Sequence, residues 1–415
     1  MQYTNINATH GLKLLWLLTV LMAFFYNLQG TPLFDIDEGA FAQATREMAL
    51  RDDYLTLHLN GEPRHDKPIL TYWLQALSVK VFGVTEFAFR LPSAIAATLW
   101  NLLIVIFTWR LTTPSIALKA GILMAGTLGT GIIGKAATAD ALLNLFLAGT
   151  LFSLYFNFTT RQTRYLLAAA FFTGLGFLTK GPIALLIPGL VSLIYSLSIG
   201  KFQDWIRIIF SPSAWLVFLS VGLPWYLINY LKEGSGFIEG FIGTHNIGRF
   251  TQAMESHSGP WWYYLPMLLL MAFPFSYTLL RPFLNVKNVI TKPLNRFLII
   301  WFLLVLVFFS LSATKLPHYI LYGLTPLFIL GAIHIDRETN LKPVFLPLLF
   351  FVVLMLALPQ LISYSITELD NHSLSETLSQ PSNYLPANYY LILGVVLLSI
   401  IWLFNDHRWL IQGRL

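Results

Sequence analysis

Residues 91–109 read LPSAIAATLWNLLIVIFTW, a run with no charged side chain, closed by Arg90 and Arg110 at its two ends. A helix rises about 1.5 Å per residue, so this stretch is long enough to cross a hydrocarbon core roughly 30 Å thick. Lipid offers the backbone no hydrogen-bond partners, and a helix satisfies its polar groups internally. Eleven further apolar stretches read the same way, at about 11–29, 115–134, 140–158, 165–179, 181–199, 208–230, 262–280, 296–312, 317–335, 343–365 and 387–404. The fold expected is an all-α polytopic membrane protein of about 12 transmembrane helices.

Composition agrees. Of 415 residues, 56% are hydrophobic and only 11% charged, against about 25% charged in soluble domains. A soluble enzyme is excluded. The net charge of +6 fits the basic cytoplasmic loops of a polytopic protein, so nucleic acid is not an expected partner, whereas membrane lipids are. The absence of cysteine excludes a disulfide framework, a thiolate metal site and a cysteine nucleophile.

With the N-terminus in the cytoplasm, the inner loops and ends collect 15 Lys and Arg against four acids, and the outer side 11 against 16. Basic residues favour the cytoplasmic side, so both termini are expected inside. The first stretch lacks a small-residue cleavage site and reads as a retained anchor. Two outer segments, 30–90 and 231–261, exceed the length of simple connections and are expected to carry function. A third, 366–386, reads as a solvated connection. The division expected is a catalytic membrane module over 1–335, with both functional loops, followed by transmembrane helices over 336–415 without a soluble domain.

The first loop opens Phe34-Asp35-Ile36-Asp37-Glu38-Gly39. Acids in this position suit the N-terminus of a helix, and Ala40, Ala44 and Met48 are spaced for one helical face. A carboxylate here also suits a general base for an acceptor hydroxyl. Further on, Gly61-Glu62-Pro63 marks a turn. Lys67, after Asp66 and before Pro68, either snorkels toward headgroups or meets a phosphate as a point charge.

A series of motifs extends from this loop: Asp37-Glu38, Arg46-Glu47-Met48, His58-Leu59-Asn60-Gly61, Asp66-Lys67-Pro68, Tyr72-Trp73, Phe82-Gly83-Val84 and Phe87-Ala88-Phe89-Arg90-Leu91-Pro92-Ser93. It continues through Ala137-Thr138-Ala139-Asp140, Leu178-Thr179-Lys180-Gly181-Pro182, Gly259-Pro260-Trp261-Trp262-Tyr263-Tyr264 and Lys315-Leu316-Pro317-His318-Tyr319-Ile320. In order and spacing, over residues 35–320, the series resembles the aminoarabinose transferase and protein O-mannosyltransferase family, GT-C membrane glycosyltransferases that use polyprenyl-phosphate sugars.

The resemblance implies a GT-C-like bundle and an inverting transfer of sugar from a polyprenyl-phosphate donor to an envelope lipid or glycan. The active site would lie on the external, periplasmic face of a bacterial inner membrane. It implies Asp37, with Glu38 beside it, as the base; Lys67 and Arg249 as ligands of the donor phosphate, with Lys180 and Lys315 also facing the donor; and Asp140, Tyr72 and His318 in support. Asp140 is expected to pair with a base such as Arg46 or Lys135. Some relatives bind a divalent metal ion at positions that match Asp66 and His245, which makes such an ion a candidate cofactor. Aminoarabinose transferases carry a basic residue shortly after the Asp-Glu pair where this chain has Ala40, a departure that bears on the donor sugar. His257 reads as a polar loop residue, and Trp261-Trp262-Tyr263-Tyr264 as an aromatic belt. Alternative functions are a polyprenyl-linked lipid transporter or flippase, a protein O-glycosyltransferase, and a polyprenyl-phosphate binder without catalysis.

Overall fold

The computed structural model describes residues 2–34, 37–248, 257–338, 342–366 and 388–405. Its framework is helical. The first elements are α1 (Gln2–Phe24), α2 (Asp37–Arg51), the two-residue strands β1 (His58–Leu59) and β2 (Glu62–Pro63), α3 (Leu70–Phe82) and α4 (Glu86–Leu111). Then come α5 (Pro114–Ala125), α6 (Leu128–Lys135), α7 (Asp140–Thr160), α8 (Thr163–Lys180) and α9 (Ile183–Ser198). Nearly all of α7 is buried, and it packs against α4, α8 and α9. Polar side chains join the apolar helices: Trp100 Nε1 donates to Thr325 Oγ1 at 2.9 Å, Trp16 Nε1 to Asn101 Oδ1 at 2.7 Å, and Asn101 Nδ2 to the Gly121 carbonyl at 2.8 Å. Hydrogen bonds of this kind fix helix pairs where lipid supplies no hydrophobic contrast.

Among the described residues, five helices are long and apolar enough to span a membrane, or up to eight if three bent pairs each count as one. Three shorter apolar helices, His10–Phe24, Ile183–Ser198 and Tyr389–Trp402, stand beside them. The all-helical membrane architecture agrees with the expectation, but these helices do not reach the expected count of twelve spans; hydropathy, moreover, does not register breaks. The stretch 115–134 divides into α5 and α6, bent by 68°, and 262–280 falls in a pair bent by 119°. At the first break Gly126 lies against Phe275, which leaves a Cβ only 3.0 Å from that ring.

α4 begins five residues before the apolar run suggests. The Thr85 side chain caps it by accepting from the Ala88 N–H at 3.2 Å, the usual service of a threonine at this position. Arg90 thereby becomes a helical residue, and it is buried.

The loop 30–90 has structure of its own. α2 buries Phe41, Ala44 and Met48, while Ala40 stays half-buried, close to the expected face. The turn comes at Asn60-Gly61, both with positive φ (54° and 88°), one residue before its expected centre and with the residue pair that tight hairpins favour. Glu47 holds it from α2, accepting from the N–H groups of Asn60 (2.7 Å) and Gly61 (3.1 Å).

Gly181 ends α8 at φ 71°, and Pro182 leads into α9, as the Lys-Gly-Pro sequence suggests. A Cβ on Gly181 would come within 2.6 Å of Phe241 Cζ. Gly181→Ala meets both a backbone conformation that L-residues avoid and this ring. We expect it to destabilise the protein by about 1 kcal/mol or more, seen as a lower thermal midpoint in detergent; an unchanged midpoint would show that the turn relaxes freely.

Candidate active site

One cavity of about 1570 Å³ gathers much of the expected site. Asp37, Glu38, Asp66, Lys67, Asp140, Lys180 and His318 all line it, although they come from five separate parts of the chain. Its apolar wall includes Leu28, Ile132, Ile133, Met271 and Tyr389.

Two adjacent acids have opposite surroundings. Glu38 is 4% exposed. Its Oε1 accepts from Arg90 Nε at 2.9 Å and the Ala137 N–H at 2.7 Å, and its Oε2 from Arg90 Nη2 at 2.7 Å and the Phe34 N–H at 2.8 Å. Burial pushes the Glu38 carboxyl up, but the Arg90 guanidinium and the two backbone N–H groups outweigh it and hold the group below the ordinary glutamate range. An acid so engaged is a structural clamp, and the geometry does not fit the catalytic part expected of it. Asp37 is exposed on the cavity wall, and among the described residues no hydrogen bond or ion pair engages its carboxylate. It lies at the first turn of α2, where the helix dipole favours an anion.

Arg90 completes the clamp. Its Nη1 donates to the carbonyls of Leu28 (3.0 Å) and Thr31 (2.8 Å), and its Nη2 to that of Pro32 (2.9 Å). One guanidinium thus ties the end of the first apolar stretch, the start of α2 and α4 together. Its only hint in the sequence is a charge inside Phe89-Arg90-Leu91, which reads equally well as a helix flank.

A second network lies where α7, α8 and the segment 317–323 meet. Lys180 Nζ donates to Asp140 Oδ1 at 2.6 Å and to the Tyr322 hydroxyl at 2.7 Å; Tyr322 in turn donates to Asp140, and His318 Nε2 lies 3.6 Å from the same carboxylate oxygen. The Lys180 ammonium is also 5.1 Å from the centre of the Tyr319 ring. The partner of Asp140 is therefore Lys180, and neither Arg46 nor Lys135, because the last turn of α8 aims its lysine at the first turn of α7. Asp37 and Lys67 lie within electrostatic reach of His318.

The third group surrounds Asp66. Lys67 Nζ donates to its Oδ1 at 2.6 Å and Arg64 Nη2 to its Oδ2 at 3.1 Å. Arg64 Nε donates to the hydroxyl of Tyr72, whose ring is fully buried and stacks on Phe41 at 5.1 Å. Burial pushes the Tyr72 phenol up to about 12, so it stays neutral and accepts that bond. Tyr72 thus supports the site through Arg64, a residue the sequence reading passes over.

Other expected residues stand apart. Lys315 does not line the cavity: its ammonium donates to the carbonyls of Ser310 (2.8 Å) and Ser312 (2.7 Å), and burial lowers its pKa. This lysine fastens the chain before the 317–323 turn, which corrects the expectation that it faces the donor. Arg249 lies outside the described residues. His245 belongs to the helix Glu239–Gly248, but its side chain also lies outside them. Two cations already engage Asp66, and among the described residues no three His, Asp or Glu side chains converge as metal ligands. The described donors do not make a divalent metal site, and no step below uses one. Lys135, at the end of α6, also lines the cavity.

Comparison with known proteins follows the same lines. The family model described as dolichyl-phosphate-mannose-protein mannosyltransferase matches residues 66–228. The chain is 35% identical over 330 residues to undecaprenyl phosphate-alpha-4-amino-4-deoxy-L-arabinose arabinosyl transferase 2 of Pseudomonas fluorescens, covering 77% of this chain and 56% of that protein. With the corresponding transferase of Aeromonas salmonicida it shares 34% identity over 328 residues, or 76% of this chain and 59% of the other. It therefore spans somewhat over half the length of these curated relatives. The crystal structure of ArnT from Cupriavidus metallidurans bound to undecaprenyl phosphate superposes with a TM-score of 0.82 at 22% identity, covering 97% of this chain and 74% of that one. At that identity the likeness speaks for the fold, and the relatives of higher identity speak for kinship. Over about three quarters of its length the chain is thus similar to these arabinosyl transferases, and in fold to ArnT.

Proposed function

We propose that the protein is an inverting glycosyltransferase that moves a sugar from a polyprenyl phosphate to a lipid or glycan of the cell envelope. The observation that carries this reading is the single cavity that unites an uncommitted acid, Asp37, with Lys67 and Lys180, beside an apolar wall suited to a lipid chain. The names of the relatives support it: the arabinosyl transferases are named for undecaprenyl phosphate, and the ArnT structure holds that lipid.

In this mechanism Asp37 takes the proton of the acceptor hydroxyl as its oxygen attacks the anomeric carbon. The bond from that carbon to the phosphate oxygen breaks on the opposite face, and the polyprenyl phosphate leaves with the electron pair. Lys67 meets the growing phosphate charge with Arg249 of the second loop; preorganised cations of this kind are a large part of catalysis. Asp66 and Arg64 hold Lys67 at the cavity wall, and the Asp140–Lys180–Tyr322 network fixes Lys180 there. The membrane arrangement we propose has twelve spans, both termini in the cytoplasm, the cavity open to the periplasmic side, and a catalytic module over 1–335 followed by membrane helices over 336–415.

The test is mass spectrometry of lipids that co-purify in mild detergent, run beside Lys67→Ala. A polyprenyl-phosphate sugar is expected with the unaltered protein, and at least about tenfold less with the variant, the loss of one charge-assisted contact. Bulk phospholipid alone in both samples would count against the donor class.

A further inference from the structure

Among the described residues, five Lys and Arg side chains line the cavity: Arg64, Lys67, Arg90, Lys135 and Lys180. Four of them are engaged by acids of the protein itself, Arg64 and Lys67 by Asp66, Arg90 by Glu38, and Lys180 by Asp140. Lys135 is the exception: half-buried, it makes no hydrogen bond or ion pair with any described residue. The charged neighbour that acts on it is Arg90, which has the same sign. Its position at the last turn of α6 gives it helix carbonyls as partial compensation. A cation removed from bulk water is costly unless an anion meets it; among the described residues no acid does, and this one faces an open cavity.

Its place is well defined. The Ala137 N–H, two residues on, donates to Glu38 at 2.7 Å, and this bond joins the end of α6 to the start of α2, where Asp37 lies. Lys135 is thus held by the same fastening that positions Asp37, and an anion it bound would lie on the Asp37 side of the cavity.

We propose that Lys135 is an anion-binding residue of this cavity that takes a phosphate oxygen of a bound lipid. The inference rests on the reading of the cavity as a lipid-phosphate site. The phosphate belongs either to the polyprenyl donor or to a phosphorylated lipid acceptor; the chemistry at the ammonium is the same.

Binding distinguishes the two sources without relying on turnover. The full-length protein in nanodiscs of phosphatidylcholine would be titrated with a polyprenyl monophosphate and, separately, with phosphatidic acid as a phosphomonoester lipid. Lys135→Ala is expected to weaken at least one of them about ten- to a hundredfold, as loss of a charge-assisted bond does, and Lys135→Arg to restore most of it. Weakening confined to the polyprenyl monophosphate assigns the donor; weakening confined to phosphatidic acid assigns the acceptor. Lys135→Gln, with its thermal midpoint measured alongside, supplies the same reading should the alanine variant fold poorly. Affinities for both lipids within twofold of the unaltered protein in Lys135→Ala and Lys135→Gln would overturn the proposal, as would an unaltered protein that binds neither. A parallel sugar-transfer assay tests the glycosyltransferase reading, so either idea can fail by itself.

Discussion

Asp37→Asn is expected to lower kcat for sugar transfer by roughly 10²- to 10⁴-fold, the usual contribution of a positioned general base, and to leave the donor KM nearly unchanged. The substitution keeps the shape of the side chain and removes its ability to take a proton. Because no hydrogen bond or ion pair among the described residues depends on the Asp37 carboxylate, the fold has little to lose. The split between kcat and KM is informative: an acid that merely holds substrate would shift KM, whereas a base acts only as the acceptor oxygen loses its proton. Full activity in this variant would move the base elsewhere in the cavity. Glu38 is not its natural replacement, since each of its oxygens already accepts two hydrogen bonds.

Removing Arg90 should have the largest effect on stability. Arg90→Met strands a carboxylate that is 4% exposed, and breaking a buried pair from one side costs about 3–5 kcal/mol. Glu38→Gln should cost less, because the amide still accepts through its oxygen, and the double variant Glu38→Gln, Arg90→Met should recover part of the loss. Thermal unfolding in detergent measures all three. The pH dependence has a definite sign. The Glu38 carboxyl is held below its ordinary value, so the clamp stabilises the fold fully above the usual glutamate range and loses that contribution as pH falls through the lowered value. A midpoint for Arg90→Met equal to that of the unaltered protein would show that the clamp contributes nothing net.

Much of this architecture can be read in the sequence, and the parts that cannot share a cause. Apolar runs declare helices, and Gly61-Glu62-Pro63 declares a turn that the structure centres at Asn60-Gly61, because both are local properties. The break at residues 126–127 lies where Gly126 packs against the Phe275 ring, a contact distant in sequence, so it stays hidden until the bundle closes. In the site, Asp37, Lys67, Asp140 and Lys180 stand in the ordered motifs that carry the resemblance, and the fold brings all four to one cavity. Glu38 misleads, because adjacent carboxylates look alike in sequence while one faces Arg90 and the other the cavity. Arg90 and Lys135 mislead for a related reason: a base at the end of an apolar stretch reads as a flank, and Lys135 as a partner for Asp140. Three-dimensional packing shows that, among the described residues, the first is fully engaged and the second is not.

The Glu38 clamp also constrains the order in which the chain can be assembled. Its partners, the carbonyls of Leu28, Thr31 and Pro32, the Arg90 side chain and the Ala137 N–H, leave the ribosome over an interval of more than a hundred residues. Three of the four hydrogen bonds on Glu38 need no residue beyond Arg90, whereas the fourth requires Ala137. A nascent chain arrested between the two would therefore carry the Arg90 clamp but lack the tie between α2 and the end of α6.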